Sequence, residues 1–412
     1  MRWTPLAIAL AVQAALLLWR LDRLPVWGDE QFTLDVVALP WGEIAETLRR
    51  DIHPPLYFVL AKLSGVGIIG LRAFSALTTL AATVALDRLI LADRSETVRR
   101  WTLAVWALSP AVVLYGRMAR SYALQTLLAV VALYAVVRLI EGRAAGATRA
   151  RLEPCATAGL AIAALLYTHY LPGLAVAAAL AVGALVARRV VPAAIALAVA
   201  GLAYLPWAVV LAEGMARAAE KRVYAITGSW LAELPVRAGY AALGLFAGEA
   251  HTVATFGLGL ALCAGVAAAL WMGWREAEAR WLLLAAAAVG FLGAAKWVSF
   301  PFMPARLLWL QPWLLALTVA GAHAFTRDWA RLWLGAWLGL LCVGQLFLAQ
   351  QKGYLNKGYL IPFEEIAQLA QQGPVLADAT NCDPSPLRAA VGPDRFRAIV
   401  GQEAIEAAAD DQ

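Results

Sequence analysis

Two adjacent acids, Asp29 and Glu30, follow the turn Pro25-Val26-Trp27-Gly28 just beyond the first apolar block of the chain. Neighbouring carboxylates beside a membrane are costly unless they are solvated, paired or used. Either could act as general base on an acceptor hydroxyl or amine. Either could also help hold a divalent cation such as Mg or Mn through oxygen ligands, and the bland alternative is that one caps a helix beginning near Gln31. A second group follows in Asp51-Ile52-His53-Pro54-Pro55-Leu56-Tyr57-Phe58. Pro54 forces His53 out of helical geometry, and Pro55 suits the first turn of a helix. His53 is therefore expected at a helix entrance beside the membrane, where it could meet an anionic headgroup or serve as a structural hydrogen-bonder.

Basic residues recur in the same kind of position. Tyr115-Gly116-Arg117-Met118-Ala119-Arg120-Ser121-Tyr122 puts two arginines in a very short connection. Arginine suits bidentate contact with phosphate, although snorkelling to lipid headgroups is the simpler use. Lys296 and Arg306 bracket a loop kept irregular by Pro301 and Pro304, and Tyr167-Thr168-His169-Tyr170 places a histidine at a helix end. Together these residues describe an anionic pocket: Asp29 and Glu30 as catalytic candidates, Arg120, Lys296, Arg306 and His53 as phosphate ligands, and Arg117, Tyr122, His169 and Tyr57 around the substrate. The chain has no Walker A loop, no GxGxxG at a strand–helix turn, no HExxH and no clustered Cys/His set, which disfavours soluble nucleotide chemistry. The metal question stays open.

The elements that must position these groups are membrane helices. Hydrophobic residues make up 62% of 412 and charged residues only 15%, against a mean hydropathy of +0.68; globular chains carry nearer a quarter charged residues. The apolar residues fall in long blocks, each able to cross a hydrocarbon core about 30 Å thick. Roughly they are 4–20, 72–92, 101–116, 122–140, 155–170, 171–187, 190–211, 252–273, 280–296, 307–325 and 331–350, about eleven spans. Seventeen tryptophans, many near block ends, fit an interfacial belt. The net charge of +6 reads as a topology signal and not as a nucleic-acid surface. Four unpaired cysteines, Cys155, Cys263, Cys342 and Cys382, suggest neither a disulfide framework nor a zinc site.

Lys and Arg are concentrated on one side. The connections 87–100, 138–153, 188–189, 274–280 and 326–331 carry 14 of them, whereas 117–120, 170–171 and 296–306 carry 4. The positive-inside rule makes the rich side cytoplasmic, on the side of Arg2, provided that 54–69 does not cross. That segment is therefore expected to lie along the surface. Residues 21–71 and 212–251 become outer loops, the N-terminus is cytoplasmic, and the tail 351–412 is a small extracytoplasmic cap with an amphipathic helix at 362–371 and a short strand at 374–378.

The run WGDEQFTLD, then DIHPPLYFVLAKL, GLRAFSAL, LSPAVVLYGRMARSYAL and YTHYLPGL, resembles in order the dolichyl-phosphate-mannose-protein mannosyltransferase-like bacterial glycosyltransferases of the GT-C superfamily, which also holds the aminoarabinose transferase acting on lipid A. The resemblance covers about the first 210 residues, becomes patchy over 212–330 and is weak in the tail. It implies an all-α multispanning enzyme of the bacterial plasma membrane that takes a sugar from a polyprenyl-phosphate donor to an extracytoplasmic lipid, glycan or protein acceptor. It assigns the essential acid to Asp29, the surface helix to 54–69 and a donor-phosphate ligand to Arg306. One departure stands out: the lipid A branch has an acid in the second outer loop, where this chain has Arg117 and Arg120. A lipid-linked sugar transporter or flippase, or a non-catalytic cell-envelope assembly protein of the same fold, are the competing readings. A transporter's charges belong near the membrane midplane, whereas here they gather at one surface.

Overall fold

The computed structural model describes residues 4–51, 53–65, 67–142, 148–221, 230–274 and 303–355, together with short pieces of the tail at 368, 375–378, 388–389, 391 and 396–399. The expected span 280–296, Lys296 and most of the expected tail helix at 362–371 lie outside these residues. The described chain is a bundle of helices. Helix α1 (Pro5–Leu18) starts on a Thr4 cap with Pro5 in its first turn. Three short helices occupy the first long loop: α2 (Gly28–Ala38), α3 (Trp41–Arg50) and α4 (Leu56–Ser64). Helix α5 (Ile68–Ala85) continues through one π turn to Ile90. Then come α6 (Glu96–Leu108), α7 (Pro110–Gly116), α8 (Tyr122–Ile140), α9 (Thr148–Thr168), α10 (Tyr170–Val186), α11 (Val190–Lys221), α12 (Trp230–Phe246) and α13 (Val253–Trp274). The last three are α14 (Pro304–Leu307), α15 (Gln311–Ala322) and α16 (Arg327–Gln350).

Six of the described helical segments are long and apolar enough to cross a membrane, and α1, α10 and residues 152–168 of α9 are shorter apolar helices. They match nine of the expected blocks. The tenth, 101–116, is broken: Ser109 ends α6 and caps α7, accepting from the Val112 amide at 3.4 Å, and Pro110 cannot continue α6. Gln311 holds the break by donating to Ser109 Oγ (3.0 Å) and to the Leu245 carbonyl (2.6 Å). A side chain at Gly248 or Gly344 would run into the Pro110 ring, so two glycines let α12 and α16 close around it.

Helix α4 occupies most of the segment 54–69. It has nine residues and stops at Gly65, whose φ of +128° suits glycine. At 1.5 Å per residue it reaches about 14 Å, half a bilayer core. Lys62 in its last turn donates to the carbonyls of Val37 (2.7 Å) and Leu39 (2.5 Å), which ties it to the C-terminal end of α2. In the tail, β1 (Val375–Asp378) pairs in parallel with β2 (Phe396–Ile399), Val375 opposite Phe396. The first of these is the strand expected at 374–378.

Candidate functional site

Helix α2 begins at Gly28, three residues earlier than expected, so Asp29 and Glu30 stand in its first turn and neither is its cap. The positive end of the helix dipole favours both acids there, but their surroundings differ completely. Glu30 is buried, with 1% of its surface exposed. Its oxygens receive Arg72 Nε (3.0 Å), Arg72 Nη2 (2.6 Å) and the Ala119 amide (2.8 Å). The remaining Arg72 contacts go to the carbonyls of Leu21, Leu24 and Pro25. Arg72 was not among the candidates expected from sequence. Its one signal was a lone arginine within GLRAFSAL, where an apolar helix begins.

Asp29 lies the other way. Its side chain is 43% exposed and its Oδ2 is 3.5 Å from Arg120 Nη2. Arg120 is buried; its Nη1 donates to the Asp29 carbonyl (3.1 Å) and approaches Thr33 Oγ1 (3.5 Å). Burial opposes its charge, and Asp29, followed by Tyr122 and Tyr57, more than offsets this, so its pKa lies above the usual arginine value. Arg120 Nη2 is also 3.1 Å from His53 Nε2. Arginine can only donate, so Nε2 accepts and the imidazole proton is on Nδ1, 2.9 Å from Asp51 Oδ1. Phe32 and Phe58 flank the ring at centroid distances of 5.3 and 6.0 Å. A continuous polar chain therefore runs Asp51–His53–Arg120–Asp29.

His169 caps α10, its Nδ1 accepting from the Leu171 amide at 3.2 Å. Burial first, then the positive charge of Arg306 and the nearness of His53 and Arg120, hold its pKa well below the usual histidine range. Tyr122 lies within the influence of Asp29, Arg120 and Arg306. Tyr57 is buried, and burial raises its phenol pKa although Arg120 works in the other direction. Thus Asp29, His53, Arg120, Tyr122, His169, Tyr57 and Arg306 converge at one end of the bundle. Arg117 does not join them. It shares a small cavity with Glu30, Arg72 and Trp27, and donates to the Arg20 carbonyl at 2.5 Å.

A further pair of groups missed in the sequence sits nearby, after α12. Glu249 is buried, receives the Tyr240 hydroxyl, and burial pushes its carboxyl up to about 8. His251 is buried two residues on, with Nε2 2.8 Å from the Gly248 carbonyl. Their signal was Gly-Glu-Ala-His in an apolar setting.

Among the described residues no group of three or more His, Cys, Asp or Glu could hold a metal ion. The donors present also fit one poorly. Both Glu30 oxygens are taken, and the charged neighbour of Asp29 is a guanidinium, where a second carboxylate would be needed.

No family model and no curated protein matches the chain. Solved structures do. ArnT from Cupriavidus metallidurans in the apo state superposes with a TM-score of 0.57 at 15% identity, over 97% of this chain and 85% of that one. ArnT bound to undecaprenyl phosphate gives 0.55 at 14%, over 99% and 87%. The oligosaccharyltransferase AglB from Archaeoglobus fulgidus, in complex with an inhibitory peptide and a dolichol-phosphate, gives 0.56 at 13%, over 89% of this chain and 57% of its own length. The chain thus spans little more than half of the archaeal enzyme. Its fold is similar to that of these membrane glycosyltransferases. The similarity to ArnT extends over nearly the whole length of this chain.

Proposed function

We propose that the protein is an integral membrane glycosyltransferase moving a sugar from a polyprenyl-phosphate donor to a lipid, glycan or protein acceptor, with Asp29 as general base. The observation that carries this reading is the contrast between the two acids. Asp29 is half exposed beside a cluster of cationic and imidazole groups centred on buried Arg120, while Glu30 is consumed in holding Arg72. Glu30 is thereby given a positioning role. The acceptor hydroxyl attacks the anomeric carbon and loses its proton to the Asp29 carboxylate. The bond from that carbon to the phosphate oxygen breaks, and polyprenyl phosphate leaves with one more negative charge. Arg306 and Arg120 oppose that charge, the kind of stabilisation that contributes most in such sites. The imidazole of His169, with its proton on Nε2, supplies a further donor.

Residues 21–71 and the site then face the outside of a bacterial plasma membrane, with the N-terminus in the cytoplasm. A lipid-linked sugar transporter is less well supported, because the buried ion pairs Glu30–Arg72 and Asp87–Arg99 stand at helix ends and not at mid-depth. The test is release of polyprenyl phosphate from a panel of polyprenyl-phosphate sugars by purified protein. Release that disappears in Asp29→Asn is expected, and turnover retained in that variant would remove Asp29 as the base. Arg306→Ala is expected to raise the donor requirement more than the acceptor requirement; an unchanged donor dependence would take it out of the phosphate site.

A further inference from the structure

A cleft of about 160 Å³ runs along the outer ends of α1 and α16, on the side of Arg117. Its floor is apolar, with Leu16 from α1, Val113 from α7 and Leu346 from α16. Its rim carries three arginines, Arg20, Arg23 and Arg117, and no acid lines it. Among the described residues none of the three guanidiniums has a carboxylate within 4 Å; Glu30 and then Asp22 influence Arg117 without pairing with it. The Arg117 Nε–H is buried without a partner.

The rim is also built and held. Arg117 Nη2 donates to the Arg20 carbonyl at 2.5 Å, and Gln351 Nε2 donates to the Arg23 carbonyl at 2.7 Å. Arg20 (φ 50°) and Gln351 (φ 54°), two of the three described non-glycine residues with left-handed backbone, are both at this cleft. Such conformations persist where the surroundings enforce them. Snorkelling arginines alone would need neither the strained backbone nor the apolar groove beneath them.

We propose that this cleft binds a phosphate-bearing lipid, its headgroup on Arg20, Arg23 and Arg117 and its chains along Leu16, Val113 and Leu346. Guanidinium groups match phosphate oxygens bidentately, and the floor lies on two spanning helices, where lipid chains already are. The site is separate from the transfer site, since Asp29, His53 and Arg120 do not line it. It does not depend on that reading.

Native mass spectrometry of the full chain in detergent tests it, with palmitoyl-oleoyl phosphatidic acid as probe and the matching diacylglycerol and inorganic phosphate as controls. One phosphatidic acid adduct is expected on the wild type, with no diacylglycerol adduct and no displacement by phosphate. Arg23→Gln is expected to weaken it about tenfold, the order for one charge-assisted hydrogen bond. Leu346→Trp is expected to displace it by filling the groove; Leu346 is 59% exposed, so folding is preserved. Undiminished retention in both variants overturns the proposal, as does equal retention of diacylglycerol. Displacement by phosphate would mean a free-anion site and overturns the lipid. Arg306→Ala keeps the adduct; its loss there would put the lipid at the transfer site and overturn the separation.

Discussion

Asp29 and Glu30 are neighbours in one helical turn, and their substitution is expected to separate cleanly. Asp29→Asn removes a half-exposed carboxylate 3.5 Å from buried Arg120, whose contacts to the Asp29 carbonyl and Thr33 remain, so the loss of stability is smaller than for a pair buried on both sides. Transfer should disappear while thermal unfolding in detergent stays close to wild type. Arg72→Leu leaves the Glu30 carboxylate buried without its partner, a loss of about 3–5 kcal/mol, which should appear as a large drop in unfolding temperature. Glu249 gives a pH signature. Its carboxyl titrates near 8 in the fold and near about 4.3 unfolded. The folded chain therefore holds the extra proton between these values, and stability falls as pH rises through that window. Glu249→Gln should be indistinguishable from wild type at pH 4 and more stable at pH 8; the reverse order would show Glu249 to be charged in the fold. For His169 the sign is opposite. Its depressed pKa makes stability fall as pH drops below about 6.5.

At the scale of elements, the long apolar blocks could be read from sequence because length and hydropathy alone define them. Ser109-Pro110 lay in plain view inside 101–116, but hydropathy does not register a missing amide, so a broken pair of helices was read as one. The Lys/Arg asymmetry led to the expectation of a non-crossing helix at 54–69, and the helix found there, Leu56–Ser64, has nine residues. Of the candidate site, Asp29, His53 and Arg120 were expected from sequence and do stand together in the fold, whereas the choice of Arg72 for Glu30 could not be read. Two acids in one turn are equivalent in sequence, and only the reach of Arg72 from α5 to Glu30 distinguishes them. Arg117 and Arg120 were indistinguishable for the same reason. Lys62 is the tether of α2 to α4. Lys62→Met removes two carbonyl contacts at the C-terminal end of α2, where a cation is favoured. Amide exchange in α2 is expected to speed up while that in α8 is unchanged.

At the scale of the molecule, the ends of α1 and α16, the first long loop and the 247–251 turn all meet at one end. The Leu355 amide donates to the Glu249 carbonyl at 2.8 Å, and Ala250 bridges Tyr354. Residues just after α16 thus stand at the same end of the bundle as the first long loop. Cysteines placed at Glu43 and Ser95 should label from opposite sides of sealed vesicles, the first from outside; labelling from one side only would break the topology. Close contact also shapes the far half of the bundle, where a side chain at Gly321 would overlap the Ala269 carbonyl. Small residues of this kind let spanning helices approach closely.

The Glu30–Arg72 pair has a consequence for how the chain enters the membrane. Arg72 stands near the start of an apolar helix that a lone arginine would hinder from partitioning into lipid. Glu30 precedes it by 42 residues and emerges from the ribosome first. On the proposed topology, the loop that carries Asp29 crosses the bilayer before α5 enters it. Pairing of Arg72 with Glu30 would then couple insertion of that helix to assembly of the site.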